Sequence, residues 1–186
     1  MHQHAFELVE PVSPTDHALG SHGAPVTVVE YGDFECPVCK QAAGAVKLLL
    51  SRFEARVRFV FRHFPLEEIH PHALRAAEAA ECAGRQGKFW QMHDLLFEHQ
   101  AHLEPPDLHR YARSLGLDLA RFTAEMDDEI HLQRVREHQH SGGQSGVRST
   151  PGFFVNGRIQ DTSYGLESLF EGVQTEIRRR DADFRA

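Results

Sequence analysis

The sequence predicts an α/β fold in which a strand–helix–strand unit is separated from a closing hairpin and helix by an all-helical insertion. Three observations carry this. Two β-branched and aromatic runs, "PVTVVEYGDF" and "VRFVFRHF", flank a stretch of helical periodicity. From His70 to about His140 the chain turns Ala- and Leu-rich with helical spacing and few strand-like runs. Strand character then returns at "GFFVNGRIQ" and is followed by one more amphipathic pattern.

Residues 1–23 hold turn-formers and polar residues with one short apolar patch, Phe6 to Val9. They read as an extended arm that adds a strand at a sheet edge. "PVTVVEYGDF" lies between Pro25 and Gly32 and reads as a buried strand. Val46, Leu49, Leu50 and Phe53 then recur at helical spacing, so a helix is expected from near Pro37 to about Phe53. Pro37 suits its first turn, where a missing N–H costs nothing. "VRFVFRHF" gives the next strand, ending at Pro65.

The helical block begins with "HPHALRAAEAAECAGRQG", expected to stop near Gly84 or Gly87. "KFWQMHDLLFEHQ" follows with Phe89, His93 and Leu96 on one face, and "PPDLHRYARSLGLD" stops at Gly116. "DLARFTAEMDDEIHLQRVREHQH" supplies one or two more helices with Leu119, Phe122 and Met126 inward, and "SGGQSG" ends the block. Asn156-Gly157 is a two-residue hairpin signal. Leu166, Leu169, Phe170, Val173 and Ile177 mark the last helix, and Arg178 to Arg180 suit its cationic final turn.

Composition narrows the function. The chain has 186 residues, 41% hydrophobic and 25% charged, with a formal charge of −7. No basic stripe is present, so nucleic acid is not an expected partner. No apolar stretch reaches the roughly 18 to 20 residues of a membrane helix, so no membrane insertion is expected. The N-terminus lacks a basic segment followed by an apolar one, which reads as a cytoplasmic protein. In that compartment stable disulfides are rare, and a Cys-x-x-Cys tends to be catalytic or metal-binding.

Cys36 and Cys39 form that pair within "YGDFECPVCKQ", at the strand-to-helix junction. Spacing alone leaves three roles open: half a metal site, a structural staple, or a pair that opens and closes. A thiol attacks only as its thiolate, and a helix N-terminus favours one through its unpaired N–H groups and partial positive charge. Cys36 is expected there, exposed, as the nucleophile. Cys39, one turn further in and shielded, is expected to resolve. The rival is a metal module in which histidines join the pair, but no second Cys-x-x-Cys, and no His pair at the usual ligand distance from it, accompanies it. The fourteen histidines are scattered and read as mostly solvated. Cys82, in an Ala-rich helix, reads as a small buried hydrophobe. A redox-inert peptide-binding module is the remaining alternative, and the presence of both cysteines argues against it.

"DFECPVC", the later "STPGFFVNG" and the helical block between them resemble the DsbA-type thiol–disulfide oxidoreductases of the thioredoxin superfamily. The stretch from "RHFPLEEIHPHALRAAEAAECAG" to "KFWQMHDLLF" resembles the insertion of that family's shorter bacterial members. The resemblance implies a thioredoxin fold interrupted by an all-helical insertion domain. It divides the chain into the arm (1–23), a thioredoxin-like domain (24–66 and 147–186) and the insertion (67–146). It implies a cis bond at Thr150-Pro151, in a loop facing the cysteines whose backbone holds a bound peptide. It also implies that Pro37 and Val38 tune the pair and, with Thr150 and Pro151, meet substrate. Glu30, six residues before Cys36, matches a buried acid beneath the pair and would take the Cys39 proton. Expected partners are protein or peptide thiols and disulfides and a redox partner, with no cofactor and no metal. The direction of exchange is left open.

Overall fold

The structure is a computed structural model that describes residues 7–184. The chain runs β1 (His17–Gly20), β2 (Val26–Gly32), α1 (Pro37–Phe53), a 3-10 turn at Glu54–Arg56, and β3 (Val57–His63). Five helices follow: α2 (Ala73–Gly84), α3 (Phe89–Glu98), α4 (Pro105–Ser114), α5 (Leu119–Asp127) and α6 (Leu132–Gln144). The chain closes with β4 (Gly152–Val155), β5 (Arg158–Gln160) and α7 (Glu167–Asp183).

One five-stranded sheet orders these strands β1-β3-β2-β4-β5. β2 is central. It pairs parallel with β3 and antiparallel with β4, placing Glu30 opposite Phe61 on one side and Phe153 on the other. The period-2 alternation of a strand splits β2 between two faces. Val26 and Val28 face a core built with Cys39, Ala42, Val46 and Leu49 of α1 and with Leu169 and Val173 of α7. Val29 and Tyr31 face a smaller cluster with Val60, Phe154 and Val147. Glu30 shares the first face. The result is a thioredoxin fold with a helical insertion between β3 and β4.

The expected edge strand exists, but it is "HALG" at His17–Gly20, pairing antiparallel with β3. Phe6 lies outside the described residues, and Glu7, within that patch, forms one bridge to Arg158 at the opposite edge. The arm therefore crosses from one edge of the sheet to the other. Arg62 anchors the crossing. Its buried guanidinium donates twice to the Asp16 carboxylate, to the carbonyls of Glu10 and Pro11, and to the Tyr31 hydroxyl. A fork of donors with a planar carboxylate is the pairing in which a buried arginine is best satisfied.

Helix α6 continues about one turn into glycine-rich sequence, ending at Gln144 inside "SGGQSG". Gly142 is required there for space: a Cβ would come within 2.9 Å of Phe64 and Tyr31. Gly146, at φ +90°, then ends the helical direction.

Candidate active site

β2 delivers the chain to the pair and α1 starts on it. Cys36 is the N-cap of α1 in an extended conformation, Pro37 opens the first turn, and no side chain caps the helix. The free N–H groups of that turn therefore point toward the Cys36 sulfur. The approach loop is fixed by side chains to which the sequence reading gave no role. Asp33, buried, accepts from the Glu35 N–H at 2.7 Å, the Leu66 N–H at 2.8 Å and His70 Nδ1 at 2.8 Å. Glu35 accepts from the His72 N–H, and Gln100 Nε2 donates to the carbonyls of Phe34 and Cys36. Their partners lie about 30 to 65 positions away, so only the residue types in "GDFEC" hinted at them.

Both thiols are free. Cys39 is fully buried, and Cys36 is 6% exposed rather than open as expected. The loop after α6 covers it: the Cys36 thiol donates to the Thr150 carbonyl at 3.4 Å, and the Thr150–Pro151 bond is cis. Pro37 and Val38 are exposed beside the pair, with Thr150 buried and Pro151 half-buried. Pro37, Val38 and Pro151 are therefore the members of this group open to solvent, next to the buried Cys36, Cys39 and Thr150.

Electrostatics separate the two sulfurs. Cys36 is pulled down to about 5: the hydrogen bond from Cys39 is the largest cause, burial opposes it, and Thr150 and the backbone N–H groups of Cys39 and Val38 add to it. The Thr150 hydroxyl itself is buried without a hydrogen-bond partner. Cys39 is pushed far above the thiol range, first by burial, then by its bond to Cys36 and the charge of Glu30. Glu30 is fully buried in the central strand, which excludes an edge-strand surface acid. Its carboxyl is pushed up to about 8 by burial and then by the Cys36 charge, and Oε1 has no hydrogen-bond partner.

The histidines divide differently from expectation. His63, His93, His131 and His138 are buried. His63 lies between strand and insertion, with Nε2 2.9 Å from a Glu81 carboxylate oxygen that His17 also contacts, so it takes no place at the sulfurs. Among the described residues, the group with three metal-capable donors within 4.8 Å of one another is Cys82, Glu125 and His131. It leaves out the Cys36–Cys39 pair. Its members already satisfy one another, His131 with Glu125 at 3.0 Å and Cys82 with Glu125. Cys82 itself is buried, its thiol pushed up to about 12 mainly by burial.

A thioredoxin family model matches residues 12–174. The chain belongs to the thioredoxin family. Within it the form is DsbA-like. Oxidised BdbD from Bacillus subtilis superposes with a TM-score of 0.82 at 24% identity, over 94% of this chain and 98% of that one. A thioredoxin-like oxidoreductase from Silicibacter pomeroyi gives 0.74 at 26% identity, over 91% and 94%. Pseudomonas aeruginosa DsbA2 gives 0.65 at 25% identity, over 80% and 86%. Among curated sequences, a protein of Salinispora arenicola named Na(+)/H(+) antiporter NhaA 1 is 50% identical over 182 residues, 95% of this chain. A Mycobacterium protein of the same name is 42% identical over 172 residues, 90% of this chain. The chain spans 28% of the length of each of these two relatives. Among the described residues no helix is long and apolar enough to cross a membrane.

Proposed function

We propose that the chain is a thiol–disulfide oxidoreductase that exchanges disulfides with protein or peptide substrates through Cys36 and Cys39. The observation that carries this is the placing of two adjacent free thiols, Cys36 at the N-cap of α1 against the cis Thr150–Pro151 loop and Cys39 fully buried behind it, an arrangement that favours the thiolate at Cys36 and the protonated thiol at Cys39. A zinc pair has no need of that asymmetry, since both ligands bind as thiolates.

In the reducing direction the Cys36 thiolate attacks a substrate disulfide, forming a mixed disulfide and releasing one substrate thiolate, which takes a proton from solvent. Cys39 then loses its proton to the Glu30 carboxylate through a water and attacks Cys36 Sγ. The Cys36–Cys39 bond forms, the Cys36–substrate bond breaks, and the second substrate sulfur leaves. Two protein thiols are oxidised to one disulfide, and one substrate disulfide is reduced to two thiols. Run backwards, the same steps oxidise a substrate dithiol, with Glu30 returning the proton to Cys39. Pro37, Val38, Thr150 and Pro151 supply the surface on which the substrate chain lies. The redox partner that restores the pair is a dithiol or disulfide of the same chemistry.

Replacing Cys39 by Ser tests the assignment, because the first step survives and the second does not. Incubation with a peptide disulfide should accumulate a mixed disulfide mapped to Cys36. Adducts at Cys82, or none at all, would overturn the roles given to the pair.

A further inference from the structure

Glu30 creates a problem that the exchange chemistry leaves open. A carboxyl sealed between Phe61 and Phe153 can take a proton from Cys39 only as often as it passes that proton on. A cavity of about 190 Å³ lies beside it, large enough to admit water where polar groups line it. Leu19, Ala43, Val46, Leu50, Phe59 and Trp90 make the wall apolar. Its polar groups, besides Glu30, are His93, Asp94 and Lys47. These three run outward in order of exposure: His93 is buried, while Asp94 and Lys47 have half-exposed side chains.

We propose that this cavity is the proton exit of the Cys36–Cys39 exchange, and that His93, positioned by Asp94, relays the proton between Glu30 and solvent. This rests on the exchange reading given above. His93 Nδ1 sits 3.1 Å from Asp94 Oδ1, and Lys47 Nζ donates to Asp94 Oδ2 at 2.8 Å. A carboxylate on Nδ1 fixes that nitrogen as the donor and leaves Nε2 as the acceptor. Burial holds His93 below its ordinary range, so its ring is neutral near neutral pH and passes a proton on rather than keeping it. Asp94 is held at about 2, first by the bond to His93, and remains an anion throughout.

A buried histidine can be packing alone, and His93 does meet Phe34, Phe61, Phe97 and Trp90 edge-on or tilted. Packing accounts for the ring. It does not account for a carboxylate on Nδ1, or for the placing of both groups in the wall that Glu30 lines. The charges facing this path are few. Cys36, Cys39 and Lys47 come from α1, Asp94 from α3, and His63 acts from β3 on His93. Cys36 loses its charge in the mixed disulfide, which eases ionisation of Glu30 at the moment the acceptor is needed.

The test separates the two steps of exchange by stopped flow with a fluorogenic peptide disulfide in His93→Gln, Asp94→Asn and Glu30→Gln. Formation of the mixed disulfide depends on Cys36 and should keep its wild-type rate in all three. Resolution should fall roughly tenfold or more in His93→Gln and less in Asp94→Asn, the scale on which positioned proton-transfer groups act. Adding His93→Gln to Glu30→Gln should slow resolution no further, because both variants interrupt one path. A purely structural His93 would instead give additive losses or equal slowing of both steps. Wild-type resolution in His93→Gln and Asp94→Asn, with formation intact, overturns the relay alone. Absence of exchange in the wild-type protein overturns the parent reading and the relay with it. Asp94 is half-exposed, so its variant keeps the test decisive should His93→Gln fail to fold.

Discussion

Removing the Cys39 thiol should release Cys36 from much of its acidity. The Cys39 hydrogen bond is the largest influence holding Cys36 at about 5 rather than 9.0. A hydrogen bond to a charged group contributes about 1.5 to 3 kcal/mol, which is roughly one to two pKa units. Cys39→Ala should therefore move the Cys36 inflection to roughly 6 to 7, by the same conversion. Cys39→Ser keeps a donor beside the sulfur and should stay nearer to the wild type. The assay is the initial rate of reaction with a small aromatic disulfide that releases a chromophore, followed from acidic to alkaline pH. At about pH 5 a thiol of pKa 9.0 is ionised to about one part in ten thousand, while Cys36 is half ionised. The weaker nucleophilicity of an acidic thiolate takes back roughly 40- to 100-fold, for a Brønsted coefficient of about 0.4 to 0.5. Cys36 should thus outpace an ordinary thiol by roughly 50- to 100-fold at about pH 5, and nearly match it at about pH 7. A wild-type inflection near 9, or an unmoved inflection in Cys39→Ala, would refute the reasoning.

Glu30 carries a stability signature of its own. Its folded-state carboxyl is raised from 4.5 to about 8, so its contribution is complete below 4.5 and is lost as pH rises through 8. The loss amounts to roughly 4 to 5 kcal/mol by linkage, and Glu30→Gln escapes it. The variant's Tm should exceed that of the wild type at alkaline pH, with the gap narrowing toward acid. A gap independent of pH would mean that Glu30 is not buried as a titrating acid. Asp16→Asn should cost about 3 to 5 kcal/mol in denaturant unfolding, because it leaves the buried Arg62 charge without its carboxylate. A change below about 1 kcal/mol, the range of a surface pair, would contradict the anchoring of the arm. Brief alkylation of the reduced protein near neutral pH should label Cys36, since Cys39 is pushed far up and Cys82 to about 12. Predominant labelling of either of the others by mass spectrometry would reverse the ranking.

What was legible in the sequence is what local pattern encodes. α1 begins at Pro37 and ends at Phe53 because a proline start and a regular apolar stripe are readable without knowing the partner face. The Asn156-Gly157 hairpin is equally local, with both residues at positive φ. β1 was placed only as an arm with an edge strand, since "HALG" has no β-branched residue and becomes a strand through pairing with β3. The burial of Cys36 was missed because its cover, Thr150, lies 114 positions away. Distance in sequence also hid the Asp33 and Gln100 supports and the network of His63 with Glu81. Glu30 was legible as a candidate because a lone acid in a β-branched run is conspicuous. Its place in the central strand came only with the sheet order.

The most direct measurement is equilibration of the protein with glutathione buffers of graded ratio, followed by acid quenching, alkylation and mass mapping of all three cysteines. The expected result is a reversible two-electron transition in which Cys36 and Cys39 close into one disulfide together while Cys82 remains a thiol throughout. A pair that never closes, or a disulfide that includes Cys82, would contradict the assignment of Cys36 and Cys39 as the exchanging couple.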